Sequence, residues 1–270
     1  MVNKFLEGKG ALITGGASGF GKATAFIFAE NGADLILVDR NEELLEEASK
    51  QVEKKYTNKV IPIICDVSDS KCVKKMTDQA FNELDNIYVL FNNAGLATTY
   101  GVDIISVGEK AWDTTMNINL KGQWLVDKFV SRKMNRQKFE PLRGKIIHNA
   151  SHYGIVLSPF VPLYSISKAG VIALNKLIAK TLAPHITSNV LAPGFHVTGI
   201  YGNREDIMLQ VMKDGDVKTP LNRIGTIEDV VNLVLFLASE KSNFITGHCF
   251  TVDGGITEAG VPSHRLEVNF

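Results

Sequence analysis

Short apolar runs alternate along the chain with helix-length segments, and this alternation narrows the possible folds more than any other feature. The runs are ALIT (11–14), LILV (35–38), VIPII (60–64), IYVLF (87–91), KIIHN (145–149), TSNVLA (187–192) and HCFTV (248–252). A strand with one wet face alternates apolar and polar residues. These runs are nearly continuous, as strands covered on both faces must be. Between them lie helical patterns at 21–32, 41–56, 69–84, 111–134, 163–183 and 226–238. Strands alternating with helices of this length predict βαβ units, an α/β class and a parallel sheet with helices on both faces. A chain of 270 residues, 45% hydrophobic, supplies the core for one large domain of that kind.

Charge and cysteine content narrow the function classes. Lysine plus arginine number 29, as do aspartate plus glutamate, so no net field draws the chain to nucleic acid or membranes. No stretch of 18 apolar residues occurs, and the start MVNKFLEGKG lacks an apolar signal region. Cys65, Cys72 and Cys249 form an odd, scattered set that suits free thiols in a cytoplasmic protein. Without a secretion signal, the sequon Asn149-Ala150-Ser151 carries no weight as a glycan site. The basic run 131–145 reads as a solvated helix end and loop. Residues 196–223 are long and poor in strand signals, which suggests a substrate lid. The domain is expected over 1–257, with a tail over 258–270. The six histidines show no metal-ligand spacing, so no metal is expected.

Two local patterns carry chemistry. Thr14-Gly15-Gly16-Ala17-Ser18-Gly19-Phe20-Gly21 follows the first strand and opens the first helix. Glycines there let the backbone approach a pyrophosphate, and the helix N-terminus offers free N–H groups. Asp39 ends the second strand, where a carboxylate accepts hydrogen bonds from both ribose hydroxyls and repels a 2′-phosphate. That favours NAD over NADP, although Arg40, the next residue, offers a guanidinium that suits the phosphate instead. Further along, YSISK (164–168) places a phenol and an ammonium one helical turn apart on one face.

Taken together, these residues resemble the short-chain dehydrogenase/reductase family. TGGASGFG has that family's glycine spacing, Asn92-Asn93-Ala94-Gly95 its NNAG motif, Pro193-Gly194 with Thr198 its PG…T segment, and VDGG (252–255) its C-terminal motif. Asn119, Ser151, Tyr164 and Lys168 fall in its catalytic order, and the resemblance spans residues 5 to about 257. It implies a single-domain, Rossmann-type, doubly wound parallel sheet of about seven strands. It also implies that Tyr164 is the acid/base and Ser151 a hydrogen-bond donor to the substrate oxygen. Lys168 would lower the Tyr164 pKa and hold the nicotinamide ribose, while Asn119 would hold a relay water. Gly15, Ser18, Gly19, Phe20 and Gly21 would cradle the phosphates, and Asp66 with Val67 would meet the adenine. Asn92, Ala94 and Gly95 would pass under the ribose. Pro193, Gly194, Val197 and Thr198 would meet the carboxamide end. Relatives commonly form homotetramers, and helix 230–238 with strand 248–252 fits such packing or an internal core. Two features depart from the family's pattern: Ser151 is preceded by HNA, and the segment between Asn119 and Ser151 is a few residues long.

The reaction expected is hydride transfer between NAD and a secondary alcohol or ketone. Apolar residues in 154–164 and 200–212 suggest a ring alcohol such as a hydroxysteroid or bile acid. The alternative is an NADP-linked reductase of a 3-oxoacyl or other ketone, and a further alternative is a non-catalytic NAD-binding protein. His152 and His196 are candidates for substrate contact or satisfied loop residues.

Overall fold

The structure is a computed structural model, and it describes residues 4–198 and 205–261. Residues 199–204 of the expected lid and 262–270 of the expected tail lie outside the described residues. Among the described residues there are seven strands: β1 (Gly10–Thr14), β2 (Asp34–Asp39), β3 (Val60–Ile64), β4 (Val89–Asn92), β5 (Gly144–Asn149), β6 (Ile186–Pro193) and β7 (Cys249–Val252). They form one parallel sheet in the order β3-β2-β1-β4-β5-β6-β7. All seven expected strands are present, within two residues at each end.

Alternate residues of each strand feed opposite cores, which is why the runs read as continuous. Ala11, Ile13, Leu35 and Leu37 face a cluster with Phe28 of α1 (Gly19–Glu30), Leu45 of α2 (Glu42–Lys55) and Val234 of α8 (Ile227–Ala238). Leu12, Ile36 and Val38 face the other side, against Met76 of α3 (Ser70–Glu83) and Val130 of α5 (Gln123–Met134). Each such Leu, Ile or Phe contributes roughly 1.5–3 kcal/mol by leaving water. Edge strand β3 is the exception that tests the rule. It tolerates Pro62 because it pairs only with β2, and its pattern is correspondingly half exposed.

Capping residues set the helix starts. Asn41 caps α2 through Leu44 N at 3.0 Å, Asp69 caps α3 through Lys71 N at 2.8 Å, and Thr226 with Asp229 closes a reciprocal capping box on α8. The helix expected over 111–134 is not one helix. It comprises α4 (Glu109–Met116), a π-helical turn (Asn117–Gly122) and α5. The expected lid contains a helix that the sequence reading did not specify, α7 (Glu205–Lys218). α6 (Pro162–Leu182) opens with proline at its first position, where the missing N–H costs nothing. No helix among the described residues is long and apolar enough to cross a membrane.

The chain runs outward from β1 to β3 and then returns to β4 on the other side of β1. The strand order therefore reverses between β1 and β4, and ligands bind beside such a reversal, at the carboxyl ends of the strands.

Candidate active site

A cavity of about 790 Å³ opens at those carboxyl ends. At one end lies the turn from β1 into α1. Gly15 has φ +67, a backbone shape that side-chain-bearing residues rarely adopt, and a Cβ on Gly21 would collide with the Gly15 carbonyl. Both glycines are therefore required for the turn to close on itself. Ser18, the N-cap of α1, makes no side-chain cap bond, unlike the capping residues of α2, α3 and α8. The N–H groups of that first turn stay available to an anion, which is the donor set that a pyrophosphate requires.

The sequence-derived cofactor residues fall into three groups. Gly15, Ser18, Gly19, Phe20, Asp39 and Arg40 line the wall beside β1 and β2. Asp66, Val67, Ala94 and Gly95 line the floor between β3 and β4, and Pro193, Gly194 and Thr198 line the far end. Asp39 is fixed from two sides, accepting from Ala17 N at 3.3 Å and Asn41 N at 3.1 Å. Gly21 and Val197 are not on the cavity wall, and Gly21 acts by packing.

Asn92 corrects the reading. It is buried beneath the floor, donating to Gln123 O at 2.9 Å and Asp127 Oδ1 at 3.0 Å. Its neighbour Asn93 lines the cavity instead, donating to Thr14 O at 3.0 Å. Successive residues of a strand point to opposite faces, so only one of the two asparagines can reach the cleft.

The reacting end is built by β5 and α6. Ser151 follows β5 and caps a single 3₁₀ turn (His152–Gly154), accepting from Tyr153 N at 3.1 Å. A Cβ on Gly154 would sit 2.7 Å from the Lys168 carbonyl carbon, so glycine lets this turn lie flat on α6. That approach sets Ser151 and Tyr164 together on the cavity wall. Lys168 Nζ lies 5.5 Å from the centre of the Tyr164 ring and donates to Asn149 O at 2.7 Å. Gln123 Nε2 donates to the same carbonyl at 3.3 Å. The Asn149 carboxamide is buried and bonded to Asn93 at 2.9 Å, while its Oδ1 has no protein partner. That orphaned acceptor on the cavity wall fits a ligand that brings a donor.

Asn119 is fully buried in the π-helical turn. Its Oδ1 accepts from Leu96 N at 2.8 Å, and its Nδ2 donates to Leu96 O at 2.8 Å and Ser167 Oγ at 3.0 Å. The side-chain amide is thus committed to pinning Leu96 and α6. This amide therefore has no hydrogen left for the expected relay water.

A family profile described as enoyl-(acyl carrier protein) reductase matches residues 15–257. The chain is 37% identical over 252 residues to 3-oxoacyl-(acyl-carrier-protein) reductase FabG of Thermotoga maritima, covering 93% of this chain and 98% of that one. A short-chain type dehydrogenase/reductase from Mycobacterium marinum has the same fold at TM-score 0.87 and 32% identity, over 95% and 98% of the two chains. This chain is a short-chain dehydrogenase/reductase. It is also 31% identical over 259 residues to (+)-borneol dehydrogenase 1 of Salvia officinalis, over 94% of this chain and 95% of that one. It is accordingly an NAD(P)-linked oxidoreductase acting on CH–OH groups.

Burial sets the acid–base state of this enzyme's site. It pushes the Tyr164 phenol above its ordinary range, against the pull of the Ser151 hydroxyl. It pushes Lys168 down to about 7. The expectation that the lysine charge makes the phenol acidic is not met in the protein alone. Desolvation disfavours the charged form of both groups.

His152 is buried, and burial lowers it to about 4 against the Pro193 carbonyl, 3.2 Å from its Nδ1. His196 is also lowered by burial, and its Nδ1 lies 3.1 Å from Gly194 O. Both line the cavity as neutral rings. Phe160, among the apolar residues expected near the substrate, lines the cavity; sequence reasoning did not single out Tyr153, Gln210 or Asp214, which also line it. The last two project from α7, and their four-residue spacing on one helical face was the available signal. Among the described residues no cluster of His, Cys, Asp and Glu could hold a metal.

Proposed function

We propose that this enzyme reduces a ketone, with a 3-oxoacyl thioester as its substrate class and NADH as its preferred reductant. One observation carries the direction. Tyr164 is a half-buried phenol on the cavity wall beside Ser151, and desolvation holds it protonated. A phenol held protonated is ready to donate as a carbonyl oxygen gains charge, and such general acid catalysis is worth roughly 10²–10⁴-fold. Ser151 Oγ holds the same oxygen, and Lys168, anchored on the Asn149 carbonyl, restores the tyrosine proton. When bound, the nicotinamide cofactor supplies the hydride. Gly15, Ser18 and Gly19 would hold its phosphates and Lys168 its nicotinamide ribose.

The thioester is supported by the 37% identity to a 3-oxoacyl-(acyl-carrier-protein) reductase, and this places the alternative reading ahead of the hydroxysteroid one. NADH over NADPH is supported by Asp39, whose fixed carboxylate suits ribose hydroxyls. A ring alcohol remains a second reading. It is supported by the borneol dehydrogenase relative and by the exposed apolar Val156, Leu157 and Phe160 beside the cavity mouth.

The test measures NADH and NADPH consumption with a 3-oxobutanoyl thioester, and NAD reduction with borneol. Faster thioester reduction, with NADH preferred, is expected. Borneol oxidation without thioester reduction would replace the first reading by the second. We also propose a homotetramer packing through β7, a half-exposed edge strand, and through the partly exposed Leu233 and Phe236 of α8. A monomeric mass in solution would contradict that.

A further inference from the structure

The thiols of Cys65 and Cys72 take no part in the reaction just described, yet they pack in one cluster behind the cleft wall. Cys65 directly follows β3, is buried, and lines the cavity beside Asp66 and Val67. Cys72 stands in the first turn of α3, half-buried and off the cavity wall. Cys72 Sγ lies 3.9 Å from the Ile64 carbonyl oxygen, and Cys65 Sγ lies 3.6 Å from the Asp66 carbonyl oxygen. The two thiols therefore hang on one three-residue stretch of backbone and belong to the same apolar cluster. Cys249 is on β7, at the opposite edge of the sheet, and cannot join them.

We propose that Cys65 and Cys72 are a redox-active pair that a peroxide closes into a disulfide, and that closure weakens cofactor binding. The chemistry follows from exposure. Cys72, the more accessible thiol, attacks one peroxide oxygen; the O–O bond breaks, water leaves and a sulfenic acid remains. Cys65 then attacks the Cys72 sulfur, the S–S bond forms, and the thiol proton departs with the hydroxyl as a second water. Two thiols lose two electrons and two protons, and one peroxide becomes two waters. Burial, the Cys72 thiol and the Asp66 and Asp69 carboxylates keep Cys65 protonated, so it is not the first target, and its attack on the sulfenic acid requires its proton to pass to the departing hydroxyl.

Drawing the sulfurs to bonding distance shifts the backbone on which Asp66 and Val67 stand. The effect on cofactor binding rests on the reading that these two residues meet the adenine. The disulfide itself does not.

The test treats the enzyme with hydrogen peroxide, counts alkylatable thiols by mass spectrometry, maps the linked peptides, and titrates NADH by fluorescence. Alkylatable thiols are expected to fall from three to one, with a 65–72 link. The NADH dissociation constant is expected to rise about tenfold and to recover with a thiol reductant. Cys72→Ser should bind NADH normally and lose the peroxide response. Three surviving thiols, or a link through Cys249, overturns the pair. A 65–72 link with unchanged NADH titration overturns the coupling. Failure to bind NADH before oxidation would sink the functional reading instead, while the thiol count still decides the disulfide.

Discussion

Tyr164 and Lys168 are moved by burial in opposite directions, and the kinetics should report this. A protonated Tyr164 favours ketone reduction around neutral pH, whereas alcohol oxidation requires the phenolate. Oxidation rate should therefore rise with pH through 9 while reduction stays level, as initial rates in the two directions across a pH series would show. A second residue prediction concerns cofactor choice. Asp39→Ser removes the carboxylate beside Arg40, and the ratio of kcat/KM for NADPH over NADH should rise at least about tenfold. An unchanged ratio would mean that Asp39 does not read the ribose. At this scale much of the site was legible in the sequence, because Ser151, Tyr164 and Lys168 depend on element order and helical spacing. Asn92 was misplaced by one residue, since a motif name does not say which of two asparagines faces the cleft. The committed amide of Asn119 was also hidden, because its partner Leu96 is 23 residues away.

Elements divide in the same way. The strands were read well because a parallel sheet buries both faces, and that leaves an unbroken apolar signature. The π-helical turn left no periodic trace, since one extra residue in a helix shifts the pattern by less than a short window resolves. α7 was concealed by its polar composition and by Gly215 within it. Capping is where element stability can be tested. Thr226 Oγ1 accepts from Asp229 N at 3.2 Å, and the Asp229 carboxylate accepts from Thr226 N at 2.7 Å. Thr226→Ala should cost about 1 kcal/mol, read as a lower midpoint in urea with an unchanged slope. Thr226 is off the cavity wall, but its neighbour Gly225 bridges to the cavity residue His196, so the loss of stability should exceed any change in kcat.

For the whole molecule, buried basic groups make stability depend on pH. Lys168 is lowered by burial to about 7, and fully buried Lys145, bonded to Ser242 Oγ at 2.9 Å, to about 8. Between those values and their ordinary 10.5 the unfolded chain binds more protons than the folded one, so stability rises with pH. His152, lowered to about 4, acts with the same sign between 4 and 6.5. Cys249, raised by burial to about 11, opposes the rise above pH 9. The urea midpoint should thus climb from pH 7 to 9, by up to about 1.4 kcal/mol per pH unit for each lysine. Lys168→Met should flatten that climb. A midpoint that falls over this window would contradict the burial of both ammonium groups.

The most direct test of the whole account is Tyr164→Phe, assayed for NADH binding and for ketone reduction in parallel. The change removes one oxygen and leaves the ring packed on α6. Binding within about twofold of the parent and reduction lower by at least about a thousandfold are expected. Reduction that continues at the parent rate would show that another group moves the proton, and the assignment of this site would fail.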